Sequence, residues 1–323
     1  MIGFNLQKTK RHFTEVLAEK FFQREAEQLM RILLEDLFGI DWKQQLMNPD
    51  LRIDEHQHYQ LGEAVKRLLA GEPIQYVMGM ARFNDLLLKV SPTVLIPRPE
   101  TEELVQKICD SFQNSKPSLL CHSEVESAAM SFQRGHVWGR ESRAAVYREN
   151  PPLRIWDIGT GSGCIAIALA KQFPNAEVIA FDVSEEALQI AKENAETNGA
   201  KVTFVHDDVM NPTSDYFNQP VDLVVSNPPY VCDSERATME ANVLDWEPEN
   251  ALFVPDDDPL RFYHQILALA KKQLNPSGQV WFEINERMGE EMVELCHEMG
   301  FLNSEVFEDF AGKPRFVKTW TAE

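Results

Sequence analysis

The chain has 323 residues, 44% hydrophobic and 25% charged, the balance of a soluble globular protein long enough for two cores. Asp and Glu outnumber Lys and Arg by 51 to 31, giving a net charge of −20, which argues against a broad phosphate-tracking surface and leaves room only for a local basic patch. Cys109, Cys121, Cys164, Cys232 and Cys296 are scattered, with no Cys-x-x-Cys pair or His-Cys cluster at metal spacing, and no apolar run approaches the ~20 residues of a membrane span. A reduced, cytoplasmic protein without metal or membrane attachment is expected.

Up to about residue 71 the apolar period is helical: Phe13, Val16, Leu17 and Phe21 share a face, as do Ala26, Leu29, Met30, Leu33, Leu34 and Leu37, and then Leu61, Val65, Leu68 and Leu69. Gly39 and Gly71 are natural stops, so residues 1–72 are expected to form a small helical domain. Over residues 73–98 the period changes. Residues 76–79 and 85–90 read as the strands of a β-hairpin linking two domains. Pro99 then suits the first turn of a helix whose positive end Glu100, Glu102 and Glu103 complement. Residues 111–152 are polar and hold neither period, the pattern of a mobile insertion with a short helix near residues 141–148; His122, His136 and Trp138 within it read as solvated side chains.

From Leu153 short apolar strands alternate with helices, the signature of an α/β sheet. Strand 153–158 runs into Gly159, Thr160, Gly161, Ser162 and Gly163, followed by an apolar helix from Cys164; such a loop lets backbone approach a ligand. The next strand ends at Asp182, placed to accept from both hydroxyls of a ribose. A third ends near Asp208 and Val209, where an adenine ring would lie. Gly-x-Gly-x-Gly differs from the dinucleotide fingerprint, and no Lys-Ser or Lys-Thr follows to make a phosphate loop. What remains is a ligand with ribose and adenine but no strong phosphate grip, as in S-adenosylmethionine.

Residues 221–226 form an apolar run that stops at Asn227, Pro228, Pro229 and Tyr230. Two prolines can neither donate to a ladder nor enter a helix, so the chain leaves the sheet here in a stiff loop at the end where α/β sheets bind ligands. The loop offers the Asn227 and Pro228 carbonyls as acceptors for an NH2 group and the Tyr230 ring as a lid over a planar one. Downstream, Asp258 and Pro259 read as the cap of a helix through Leu274, residues 278–284 as a strand, residues 289–300 as a helix, and residues 305–310 and 315–320 as a closing pair of strands. Trp246, in Asp245-Trp246-Glu247-Pro248, is read either as part of a substrate groove or as core.

The glycine loop, Asp182 and Asn-Pro-Pro-Tyr together resemble class I methyltransferases that act on amino groups. With the helical start, the hairpin and Ile96-Pro97-Arg98-Pro99-Glu100-Thr101, the chain resembles the PrmC/HemK family, the release-factor glutamine methyltransferases, over all but the insertion. The resemblance implies a Rossmann-like seven-stranded sheet with its last strand antiparallel, a methyltransferase domain over residues 99–323, and an N-terminal helical domain that recognises substrate. It implies that Gly159, Thr160, Gly161, Ser162, Gly163, Asp182, Asp208, Val209 and Asn227 contact S-adenosylmethionine, with Val209 stacking less than the Trp of some relatives. Asn227, Pro228, Pro229 and Tyr230 would hold the substrate glutamine, that of the Gly-Gly-Gln loop of bacterial peptide chain release factors. The alternatives are a ribosomal-protein glutamine methyltransferase, an enzyme acting on exocyclic amines of DNA or RNA, and a non-catalytic binding module.

Overall fold

The computed structural model describes residues 3–114 and 152–321. Most of the expected insertion, with its helix near 141–148 and His122, His136 and Trp138, lies outside the described residues. Helices α1 (Leu6–Leu17), α2 (Gln23–Phe38), α3 (Trp42–Met47), α4 (Glu55–Leu69) and α5 (Ile74–Met78) build the N-terminal part, tied by a short antiparallel pair, β1 (Phe4–Asn5) with β2 (Arg52–Ile53). Their apolar faces meet in one core around Leu17, Met30, Leu33, Leu34, Leu61 and Leu68. Removing one of these side chains to Ala typically costs about 2–5 kcal/mol.

The hairpin differs from the expected one. Residues 76–78 belong to helix α5 and not to a strand; the strands are β3 (Met80–Phe83) and β4 (Leu86–Lys89), turning at Asn84 with φ 49°. Pro73, at φ −56°, is pre-set for a helix start, and Val77 finds its packing in the helical core, which outweighs the strand preference of Tyr-Val.

Helix α6 (Pro99–Asn114) begins at the expected proline and runs four residues into the stretch read as an insertion. From residue 152 onward come β5 (Arg154–Ile158), α7 (Cys164–Gln172), β6 (Glu177–Asp182), α8 (Glu185–Asn198), β7 (Thr203–His206) and β8 (Val221–Ser226). A small parallel pair, β9 (Val231–Cys232) with β10 (Phe253–Val254), flanks helix α9 (Ala241–Trp246). The chain closes with α10 (Arg261–Gln273), β11 (Leu274–Glu283), α11 (Gly289–Glu298), β12 (Asn303–Glu308) and β13 (Pro314–Trp320). Asp258 does not cap α10 with its side chain; the helix starts at Arg261, after a turn closed by backbone.

Seven strands form one sheet in the order β12-β13-β11-β8-β5-β6-β7, parallel except for β13, which runs antiparallel between β12 and β11. Helices α6, α7 and α8 cover one face through Leu104, Ile108, Ile167 and Ala195; α10 and α11 cover the other through Tyr263, Ile266 and Met292. Central strand β8 is buried on both faces, which is why it reads as an unbroken apolar run.

A fourth cluster joins the hairpin region to the sheet domain: Tyr76, Val94, Ile96, Ala187 and Ile190, with Trp246 packed on it. Trp246 is thus packing, one of the two readings of its motif. Its neighbour Glu247 sits with its side chain only 1% exposed, accepts from Arg98 at 2.5 Å and from the Ile96 amide at 3.3 Å, and so locks Pro97, Arg98 and Pro99 against the sheet domain. Arg98→Ala would leave that carboxylate buried without its counter-charge. Because the guanidinium is one-third exposed, a loss of about 2 kcal/mol is expected in urea unfolding.

Candidate active site

After β5 the chain winds outward through β6 and β7, and then returns to place β8 on the other side of β5. At such a reversal the loops after the two adjacent strands diverge and open a crevice at their carboxyl ends. Ile158 and Ser226 stand opposite each other there, and the Ser226 hydroxyl donates to the Ile158 carbonyl at 2.6 Å, fixing one loop relative to the other. A cavity of about 160 Å3 opens above them.

Of the residues expected to contact a cofactor, Gly159, Thr160, Gly161, Ser162, Asp182, Asp208, Val209 and Asn227 line this cavity. Gly161, at φ 54°, has nothing within 4 Å of where a side chain would start, so the bare backbone forms the cavity floor. Gly163 is not in the lining. A β-carbon there would come within 3.1 Å of Ala191 and Ile167, so this glycine serves close packing of α7 on α8.

Four of the loop's five amides point to partners within the protein and not into an anion cradle. Gly159 and Thr160 both donate to the Phe181 carbonyl, Gly161 to Asp182 Oδ2 at 2.8 Å, and Gly163 to the Thr160 carbonyl. Their donors are satisfied within the protein, which suits a ligand with no phosphate to grip. Asp182 also accepts from the Ser184 amide at 2.9 Å, which holds its carboxylate at the rim, and burial pushes its pKa above the usual carboxylate value. Asp207 accepts from the amides of Thr213 and Ser214, shaping the turn that brings Asp208 and Val209 to the cavity; Val183, which the sequence did not single out, lines it beside them.

Asp157, at the end of β5, is fully buried. One oxygen accepts from the Thr160 hydroxyl at 2.6 Å and the Ala166 amide at 3.0 Å, while Oδ1 has no partner among the described residues. Burial pushes this carboxyl up to about 7. A folded-state pKa above the unfolded one means the native protein binds the extra proton, so stability falls as pH rises from about 4 to 7. Asp157→Asn escapes that loss: relative to the parent, the variant is expected to gain roughly 3–4 kcal/mol in unfolding free energy between pH 4 and pH 8, read from denaturation at the two pH values.

Pro228 and Pro229 line the cavity beside Asn227, facing Thr93, Pro97, Arg98, Thr101 and Phe262. Tyr230 is not among the lining residues. Expected to lie over a substrate amide, it instead donates to Glu283 Oε1 at 3.3 Å and packs on the core. Asn227 Nδ2 donates to Thr101 Oγ1 at 3.3 Å, and Thr101 donates to Glu283 Oε2 at 2.7 Å. With its NH2 end held, Asn227 keeps Oδ1 without a protein donor among the described residues. The arrangement can accept protons from an NH2 group brought into the cavity. Among the described residues no group of three or more His, Cys, Asp or Glu could hold a metal ion, and no helix is long and apolar enough to cross a membrane.

Two sequence families match this chain: the PrmC N-terminal domain at residues 10–79 and the Methyltransferase small domain at residues 146–245. The chain is 38% identical over 307 residues to the release factor glutamine methyltransferase of Bacteroides thetaiotaomicron, covering 95% of this chain and 96% of that protein. It is 39% identical over 306 residues to that of Flavobacterium psychrophilum, covering 95% of each chain, and 37% identical over 268 residues to that of Lactococcus lactis, covering 82% of this chain and 84% of the relative. With that identity over nearly its whole length and the cavity set at the switch point of its sheet, the chain belongs to the family of release factor glutamine methyltransferases.

Proposed function

We propose that this protein methylates the side-chain nitrogen (N5) of the glutamine in the Gly-Gly-Gln loop of peptide chain release factors, with S-adenosylmethionine as donor. The observation that carries this reading is the acceptor-only face of Asn227: its amide NH2 is engaged by Thr101, its Oδ1 has no donor among the described residues, and it shares one cavity with the glycine loop.

Gly159, Thr160, Gly161 and Ser162 would support the cofactor, Asp182 would accept from its ribose hydroxyls, and Asp208, Val209 and Val183 would bound its adenine. The fit is supported by the bare floor at Gly161 and by the amides of Gly159, Thr160, Gly161 and Gly163, which are already satisfied. Bound S-adenosylmethionine supplies an electrophilic methyl group on a sulfonium sulfur.

An amide nitrogen is a poor nucleophile because its lone pair is delocalised into the carbonyl. Asn227 Oδ1 and the Pro228 carbonyl would accept hydrogen bonds from its two N–H groups, hold the nitrogen in place and stabilise the positive charge that grows on it as the new C–N bond forms and the methyl's bond to sulfur breaks, its electron pair leaving with the neutral thioether. Positioning of this kind contributes up to roughly 7–11 kcal/mol. The cationic product nitrogen then loses a proton to water, so no side chain has to deprotonate the amide beforehand. Pro229 and Phe262 would wall the acceptor pocket, and Tyr230 acts through Glu283. The N-terminal helical domain, residues 1–72 with α5, would recognise the release factor, a role supported by its exposed Trp42, Leu46 and Met47. The −20 net charge disfavours nucleic acid as the substrate.

Methyl transfer to purified release factor, to its Gln→Ala variant and to DNA tests the reading. Label on the intact release factor alone is expected; label on DNA or on the Gln→Ala protein contradicts it.

A further inference from the structure

We infer that Glu283, acting through Thr101, is a positioning residue that fixes which end of the Asn227 amide faces the substrate, so that the site selects a carboxamide NH2. The inference deepens the reading above and rests on it for the identity of the substrate.

Glu283 ends β11 and is 1% exposed; Thr101, in the first turn of α6, is 2% exposed. The two are 182 residues apart in sequence and 2.7 Å apart in space. A hydroxyl has one proton, and an ionised carboxylate has none. Thr101 must therefore spend its proton on Glu283, and its oxygen can meet Asn227 only as an acceptor. Only the NH2 end of Asn227 can occupy that contact, which leaves Oδ1 for the cavity. The direction of the whole chain of bonds is thus set by the charge on Glu283, with Tyr230 donating to its other oxygen.

A proton on Glu283 removes the constraint. The carboxylic acid can donate to Thr101, the threonine proton can turn to Asn227 Oδ1, and after a half-turn of the amide the NH2 end faces the cavity, donor against donor. Burial raises Glu283 to about 7, opposed by the bonds from Thr101 and Tyr230 and by the charge of Arg315, so this reversal lies near neutral pH. The groups around Glu283 are Glu100 and Thr101 on α6, Cys164 on α7, Tyr230 after β8, Tyr263 on α10 and Arg315 on β13, the last paired with Asp309. Of these, Arg315 favours the ionised form and Glu100 opposes it.

Two readouts test this. In the ligand-free protein, the side-chain NH2 resonances of Asn227, assigned against Asn227→Asp, are expected to move as pH passes through about 7 and to stay still in Glu283→Gln. In turnover, Thr101→Val keeps the volume and removes the relay; kcat is expected to fall about tenfold or more, with KM for the release factor and cofactor affinity within about twofold, and Thr101→Ser to recover most of the loss. The acid limb of the wild-type kcat profile should vanish in Glu283→Gln. Asn227 resonances that ignore Glu283, or wild-type kcat in Thr101→Val, would overturn the inference. Wild-type protein whose resonances titrate as expected but which methylates no release factor would instead overturn the proposed function alone.

Discussion

Asn227→Ala is expected to lower kcat by about 10²–10³-fold while the affinity for S-adenosylmethionine changes by less than about threefold. Asn227 follows β8 in a loop whose course is set by Pro228 and Pro229, so the backbone path survives loss of the side chain. Among the described residues its side chain bonds to Thr101 alone, whose hydroxyl keeps Glu283 as a partner. The variant therefore folds and retains the glycine loop and Asp182, and it lacks the acceptor that aims the substrate nitrogen. Transfer assays for kcat, with calorimetry for cofactor binding, separate these effects. A collapse in cofactor affinity with kcat preserved would assign Asn227 the wrong role.

Asp182→Ala is expected to act in the opposite sense, weakening S-adenosylmethionine binding by about 10²-fold or more. Charge-assisted bonds to two ribose hydroxyls are worth about 1.5–3 kcal/mol each. The same carboxylate holds the Gly161 and Ser184 amides, so part of the loss comes from a looser loop. Asp182→Asn keeps one acceptor oxygen, enough for the Gly161 or the Ser184 amide but not both, and is expected to fall between. With cofactor at saturation, kcat in Asp182→Ala should recover to within about tenfold of the parent, because the acceptor pair at Asn227 and Pro228 is untouched.

The sheet was legible because its strands are short apolar runs that end in residues with one structural meaning: glycines after Ile158, prolines after Asn227, an acid at Asp182. The same local reading failed at Tyr76 and Val77, where a sequence suited to a strand is bent into helix α5 by a proline start and a place in the helical core. Helix α3 escaped notice because six residues hold too few turns to show a period. The cavity's backbone was half-legible. Glycine spacing excluded a phosphate loop, but only the fold reveals that Phe181 and Asp182 already occupy the amides of Gly159, Thr160 and Gly161 and that Gly163 serves packing.

Least visible were Thr101 and Glu283. Thr101 stands out only as the last residue of the motif that begins at Ile96, and Glu283 reads as an ordinary residue near a strand end; nothing in local sequence joins residues so far apart. The available signal was a carboxylate inside the run Val280-Trp281-Phe282-Glu283-Ile284, where a buried charge needs a dedicated partner. Tyr230 carries the matching lesson: an aromatic residue beside a substrate loop suggested a lid, whereas its hydroxyl is drawn to that carboxylate.

The most direct measurement is a crystal structure of the protein with S-adenosylhomocysteine and a peptide carrying the release-factor Gly-Gly-Gln sequence. The glutamine nitrogen should lie within hydrogen-bond distance of both Asn227 Oδ1 and the Pro228 carbonyl, in line with the cofactor sulfur. A sulfur directed into another pocket, or a glutamine whose carbonyl oxygen meets Asn227, would contradict the account.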